Sequence, residues 1–179
     1  MQLKNASITF CLLLVSFIGF AQTNTNMKWT TYSTKGYQVE YPSSWELDTV
    51  NTRGAEFIIL SPLVSEEDPF NEYVSFAQQD LTGKQITLDK YIEISESQVK
   101  AYLKSGEIVK SERVKNKTET HHIIICKGTQ QNTSITFVQY YWLLNETAYI
   151  LSFTSKTESY ENYQKTAEHI LDSFQFKYP

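Results

Sequence analysis

Between residues 134 and 144 the side chains are apolar on both parities. Ile135, Phe137, Tyr141 and Leu143 fall on one side of an extended chain, and Val138, Tyr140, Trp142 and Leu144 on the other. Successive residues of a strand point to opposite faces, so a half-buried strand alternates apolar with polar. A strand apolar on both sides belongs in the middle of a sheet covered from two directions. Covering two faces takes helices or long loops on each. That excludes an open sheet with one wet face.

The surrounding chain supplies the other elements. Residues 107–116, 119–127 and 147–155 read as strands separated by short polar turns, and with 134–144 they form an antiparallel meander. Earlier, Gly36 to Tyr41 alternates, Pro42 interrupts, Trp45 to Leu47 resumes, and Ala55 to Leu60 and Tyr73 to Gln79 are further strands. Residues 63–71, with Glu66, Glu67, Asp68 and Pro69, form a loop. The period then changes. Leu88, Tyr91, Ile92, Val99, Tyr102 and Leu103 recur at helical spacing, with Ser95 interrupting the stripe. Thr87 suits the N-cap and Gly106 the residue past the end, which predicts an amphipathic helix over 88–105. A second helix closes the chain, with Tyr160, Tyr163, Ala167, Ile170, Leu171 and Phe174 as its stripe and Ser159 as its cap.

Met1 to Ala21 has the form of a bacterial-type secretion signal. Lys4 is the positive start, Ile8 to Phe20 the apolar run, and Gly19-Phe20-Ala21 the cleavable end. The run is shorter than the ~20 residues a membrane span needs. Removal of this segment leaves 158 of the 179 residues, enough for one domain. Residues 22–28 are a polar, flexible lead-in and 29–179 the single domain. The expected location is the periplasm or the outside of the cell, with no transmembrane segment in the mature chain.

Charge and cysteine content narrow the function. The formal net charge is −4, which argues against nucleic acid and against anionic lipid. Cys11 lies in the signal, so Cys126 is alone in the mature chain and makes no internal disulfide. It is expected to pack as a small apolar residue. Asn116, Asn132 and Asn145 head glycosylation-type tripeptides but read as polar turn residues.

No motif assigns a catalytic, cofactor or metal site. His121 and His122 are neighbours on a strand, point to opposite faces and cannot share an ion; they read as strand-surface residues. His122 and Cys126 share a face but stand ~13 Å apart, too far for a thiolate pair. His169 falls opposite the second helix's stripe and reads as solvated. The loop Glu66 to Glu72 offers oxygens that could make a weak divalent-ion site, but Pro69-Phe70 stand where a calcium loop has its glycine turn. Gly83-Lys84 lacks the rest of a phosphate loop, and no Gly-x-Ser-x-Gly elbow exists. The aromatic fraction is 14%. Tyr32, Phe70 and Tyr178 lie outside clear stripes and, if exposed, are candidates for a partner surface.

The run Gly36-Tyr-Gln-Val-Glu-Tyr-Pro-Ser-Ser-Trp45 resembles the opening hairpin of the PsbP-like family. Thr87-Leu-Asp-Lys-Tyr91 at the middle helix, the late pair of long strands, and Tyr160-Glu to Ser173-Phe-Gln-Phe176 are similar too. The resemblance spans about residues 29–178. It implies an α+β fold, an antiparallel sheet of six to seven strands with helices on both faces. Family members include an extrinsic subunit of photosystem II, a nuclear-transport factor that binds a small GTPase, and many exported bacterial proteins, mostly non-enzymatic binders, assembly factors or adaptors. No functional residue carries over, since no metal-binding histidine motif is present to match. The expectation is a non-enzymatic binding or assembly domain whose partner is another protein. The competing classes are a periplasmic hydrolase with a site assembled from distant residues, and a carrier of a divalent ion or small ligand. A cavity joining His121 or His122 to a Ser, Asp or Cys within hydrogen-bond reach would point to the hydrolase.

Overall fold

The computed structural model describes residues 27–50, 54–115 and 119–177. The expected signal, Met1 to Ala21, and Tyr178 lie outside the described residues, as does Asn116. The elements run β1 (Trp29–Ser33), β2 (Tyr37–Pro42), β3 (Glu46–Asp48), β4 (Phe57–Leu60), β5 (Tyr73–Asp80), α1 (Leu88–Tyr102), β6 (Lys104–Lys115), β7 (Thr120–Gln130), β8 (Thr133–Leu144), β9 (Thr147–Lys156), α2 (Tyr160–Ser173) and β10 (Gln175–Phe176). Seven strands form one antiparallel sheet in the order β3-β4-β5-β9-β8-β7-β6, and β1-β2-β10 form a second, smaller one. This is an α+β fold with helices on both faces of the larger sheet.

The two apolar faces of β8 go where its pattern sends them. Val138, Tyr140 and Trp142 join Phe76, Leu151, Phe153, Ile170 and Leu171 in the larger core, under α2 and the small sheet. Tyr37 of β2 reaches across to Phe76 at 4.9 Å between ring centres and to Phe174 at 5.6 Å. Ile135 and Tyr141 join Ile92, Leu103, Ile124 and Cys126 in a second core beneath α1. The sheet is a partition between two separate apolar clusters, and each helix is held by burying its own stripe.

The late meander turns through two-residue hairpins. Gln131-Asn132 have φ of 47° and 71°, and Asn145-Glu146 have 48° and 58°. Both central residues left-handed is the twist-matched hairpin turn that favours Asn. The turn reading of Asn132 and Asn145 holds.

Three local expectations need correction. Helix α1 stops at Tyr102, three residues early, because Leu103 turns extended while its N–H still reaches Val99 O. Gly106 is not the helix stop; it lies in β6, where a side chain would meet Val99 O at 2.9 Å. Ser95 does not interrupt the buried stripe but belongs to it, because its hydroxyl donates to Tyr91 O at 2.9 Å and needs no water. Ser159 does not cap α2 with its side chain. Its hydroxyl donates instead to Glu72 Oε1 at 2.6 Å. Thr87, by contrast, caps α1 as expected, accepting from Lys90 N at 3.2 Å. Strands β1 and β10 had no sequence signal.

Candidate functional site

Helix α1 covers only part of its face of the sheet. Beside it runs a groove of about 290 Å³ floored by Phe137, Gln139 and Tyr141 of β8 and Ile150 of β9. Its wall is Tyr91, Ser95, Gln98 and Tyr102, spaced i, i+4, i+7 and i+11 along one flank of the helix. Val99, Leu103 and Gln130 complete it, and no charged side chain lines it. A smaller hollow shares Tyr91, Ser95 and Gln98 and is completed by Gln79, Leu81, Lys84, Ile86 and Ile94. Tyr91 Oη donates to Gln79 Oε1 at 2.7 Å and Tyr141 Oη to Gln139 Oε1 at 2.9 Å, so the floor's polar groups are fixed. Burial pushes the phenols of Tyr91 and Tyr141 up, keeping both neutral. Tyr102 stands at the mouth, 81% exposed. The sequence placed it in the buried stripe; helix termination leaves it outside.

Across α1 from the groove lies a polar cluster. His122 is buried, not on the surface, and its Nε2 lies 2.8 Å from Ser111 Oγ. Arg113 Nε donates to His122 Nδ1 at 3.3 Å, and Ser111 Oγ donates to Glu96 Oε1 at 2.5 Å. Arg113 also pairs with Asp89 at 2.5 Å. Glu96 and Asp89 are on α1, Ser111 and Arg113 on β6, so the cluster clamps the helix to the sheet edge. Burial lowers the affinity of His122 for a proton, and the Arg113 charge lowers it further.

His121 is also buried, on the opposite face. It stacks on Tyr140 with centroids 5.0 Å apart and lies 5.4 Å from Trp142. These three line a cavity of about 270 Å³ with Glu119, Asp172 and Phe174 among its other walls. Tyr140 Oη donates to Asp172 Oδ1 at 2.8 Å. His121 Nδ1 and Trp142 Nε1 are buried with no hydrogen-bond partner. Burial lowers the proton affinity of His121, opposed by Asp172. It raises the Glu119 carboxyl above its usual range.

His169 is exposed, as expected, and on the surface it stacks on Trp29 at 3.8 Å and meets Glu40 at 3.1 Å. Cys126 is fully buried, and burial pushes its thiol up to about 11. Tyr32 is half-buried, edge-on to Phe57 at 5.7 Å. Phe70 is half-buried too, packed on the second core with Lys156 Nζ 5.9 Å over its ring. Neither meets the condition of exposure on which its candidacy for a partner surface rested, because each packs against a core cluster. The loop acids do not converge: Asp68 pairs with Lys156 at 2.5 Å, and Glu72 turns inward to Ser159. Among the described residues no group of three His, Cys, Asp or Glu could hold a metal. No described helix is long and apolar enough to cross a membrane.

The sequence model of the PsbP-like protein family matches residues 19–176. This chain belongs to the PsbP-like family. Its fold is shared by solved structures of very low identity. Cyanobacterial PsbP (CyanoP) from Synechocystis sp. superimposes with a TM-score of 0.63 at 11% identity, over 89% of this chain and 99% of that one. LpqN, described as involved in cell envelope biogenesis of Mycobacterium tuberculosis, gives 0.65 at 12%, over 86% and 92%. The Pseudomonas aeruginosa protein PA94, of unknown function and a putative regulator by description, gives 0.59 at 10%, over 84% and 98%. No curated protein matches the chain significantly. The PsbP-like fold is thus secure, while the groove, the clamp and the cavity are read from this chain's own residues.

Proposed function

We propose that this PsbP-like chain is an exported, non-enzymatic binding domain of the cell envelope, and that the groove beside α1 receives an uncharged segment of a partner protein. The observation that carries this reading is the groove's lining of Tyr91, Tyr102, Phe137 and Tyr141 with glutamines and no charge. In a chain that is 20% charged, that composition matches the core of a protein interface, where aromatics are enriched and ions depleted. An exposed Tyr102 at the mouth, beside a floor whose Tyr141 and Gln139 are already hydrogen-bonded, offers an aromatic anchor to a partner. Export is supported by the signal-like start of the sequence and by likeness to an envelope-biogenesis protein. The test is crosslinking in envelope extracts with the unaltered chain and with Tyr102→Ala. A partner captured by the former and lost with the latter, at unchanged stability, supports the reading. Equal capture by both refutes it.

A hydrolase is the second reading, favoured by the Ser111–His122 contact. The direction of its hydrogen bonds weighs against it. Arginine only donates, so His122 Nδ1 must present its lone pair to Arg113. The neutral ring then carries its proton on Nε2 and donates to Ser111, whose own proton goes to Glu96. Activating a serine needs the reverse: a free Nε2 lone pair and an acid at Nδ1. A serine-reactive fluorophosphonate that labels Ser111 stoichiometrically in the folded chain would restore the enzymatic reading.

A further inference from the structure

The cavity around His121 lies on the opposite face of the sheet from the groove and has a different chemistry. Its floor is aromatic: His121, Tyr140, Trp142 and Phe174, with Trp142 and Phe174 centroids 5.5 Å apart. Its polar wall carries two carboxylates, Glu119 and Asp172, and no Lys or Arg lines it. His121, desolvated, is neutral at neutral pH and adds no compensating charge. Aromatic faces combined with unopposed carboxylates attract a cation, and a soft, weakly hydrated one most strongly, because it surrenders little solvation on entering. A compact metal ion fits poorly: the ligand set for one is lacking among the described residues.

The second observation is polar. Trp142 is 2% exposed and His121 7%, yet Trp142 Nε1 and His121 Nδ1 have no partner. Buried polar groups are almost always satisfied, so two unpaired atoms on neighbouring residues of the cavity floor mark this region as more than ordinary core packing.

We propose that this cavity binds a small organic cation of the quaternary-ammonium class, its ammonium against the aromatic floor and the Glu119 and Asp172 carboxylates. The fit is independent of the groove and of the partner it receives. Choline is the probe, titrated into the full chain and followed by calorimetry and by tryptophan fluorescence, which Trp142 reports. Saturable binding is expected, weakened at least tenfold in the paired Glu119→Gln and Asp172→Asn variant. The uncharged isostere of choline, with carbon in place of the ammonium nitrogen, is expected to bind at least tenfold more weakly to the unaltered chain. Equal binding of the isostere, or no saturable signal with choline, overturns the proposal even if the paired variant fails to fold. Undiminished choline binding by a folded paired variant overturns it as well.

Discussion

Gly128→Ala is the sharpest test of how α1 is docked. Gly128 lies in β7 opposite Ile135, and its backbone is compatible with any residue. A Cβ added there would stand 2.6 Å from Leu103 Cβ, 3.1 Å from Leu103 Cδ1 and 3.3 Å from Gly106 Cα. Carbon atoms rest about 3.5–4.0 Å apart, so the first contact is short by roughly an ångström. Both atoms of that contact are fixed to backbone, and no rotamer change separates them. The end of α1 must lift from the sheet. Overpacking of this kind costs about 1–3 kcal/mol. A clash this deep takes the upper half of that range, and alanine in a strand regains about 0.5–1 kcal/mol over glycine, leaving a net loss of about 1–2.5 kcal/mol. For a domain of this size that lowers Tm by about 3–6 °C. Equilibrium urea unfolding followed by tryptophan fluorescence measures it, and a double-mutant cycle localises it. Leu103→Ala keeps Cβ, so most of the Gly128→Ala penalty persists in that background. Leu103→Gly removes Cβ and with it most of the penalty, leaving only the 3.3 Å contact with Gly106 Cα. A neutral or stabilising Gly128→Ala, or a penalty fully abolished by Leu103→Ala, would refute the close approach of α1 and β7. Because Leu103 adjoins Tyr102, the same variant should weaken partner capture.

Three further outcomes are expected. Both His121 and His122 hold their protons less tightly than the ordinary 6.5, so the folded chain binds fewer protons than the unfolded one. Their contribution is fully present above 6.5 and fades as pH falls below it, so urea midpoints should drop between about pH 7.5 and pH 5.5; a flat profile contradicts the burial of both rings. Cys126, fully buried with a raised thiol pKa, should be alkylated by iodoacetamide only in denaturant, as peptide mapping would show; rapid labelling of the native chain contradicts the second core. Tyr140→Phe removes the bond to the exposed Asp172, which rehydrates, so stability should fall by about 1 kcal/mol; a loss above about 3 kcal/mol would mean the hydroxyl has a structural role beyond that bond.

Much of the architecture was legible because it rests on local periodicity. The two-sided pattern of β8 placed that strand inside the sheet and assigned its side chains to the correct cores. The meander followed from turn residues, and α1 from its stripe and Thr87. What periodicity does not carry was missed. β1 is a run of Trp, Thr, Tyr and Ser without a clean alternation, and it exists because β2 offers it a ladder from Trp29↔Pro42 to Ser33↔Gln38. β10 has two residues, held by β2 and by the Lys177 N to Gly36 O bond at 2.8 Å. β10 finds its partner more than a hundred residues away and β1 pairs with the next strand, and in both cases the partner, not a local pattern, makes the strand.

The polar cluster was hidden for a more specific reason. Ile108 pairs with Cys126 and Lys110 with Ile125, so β6 carries one extra residue at Val109. A bulge of this kind reverses the alternation beyond it. Counted in steps of two from Ile108, the side chains on the α1 face would be Lys110 and Glu112. After the bulge they are Ser111, opposite Ile124, and Arg113, opposite His122. One inserted residue therefore brings Ser111 and Arg113 against His122 and against Asp89 and Glu96 of α1, and turns Lys110 and Glu112 to the other side, where they pair at 2.6 Å. An unbulged β6 would set lysine and glutamate against the buried imidazole and leave Arg113 without Asp89. The bulge thus determines how α1 is held at the β6 edge, and through α1 the opening of the groove on its other flank.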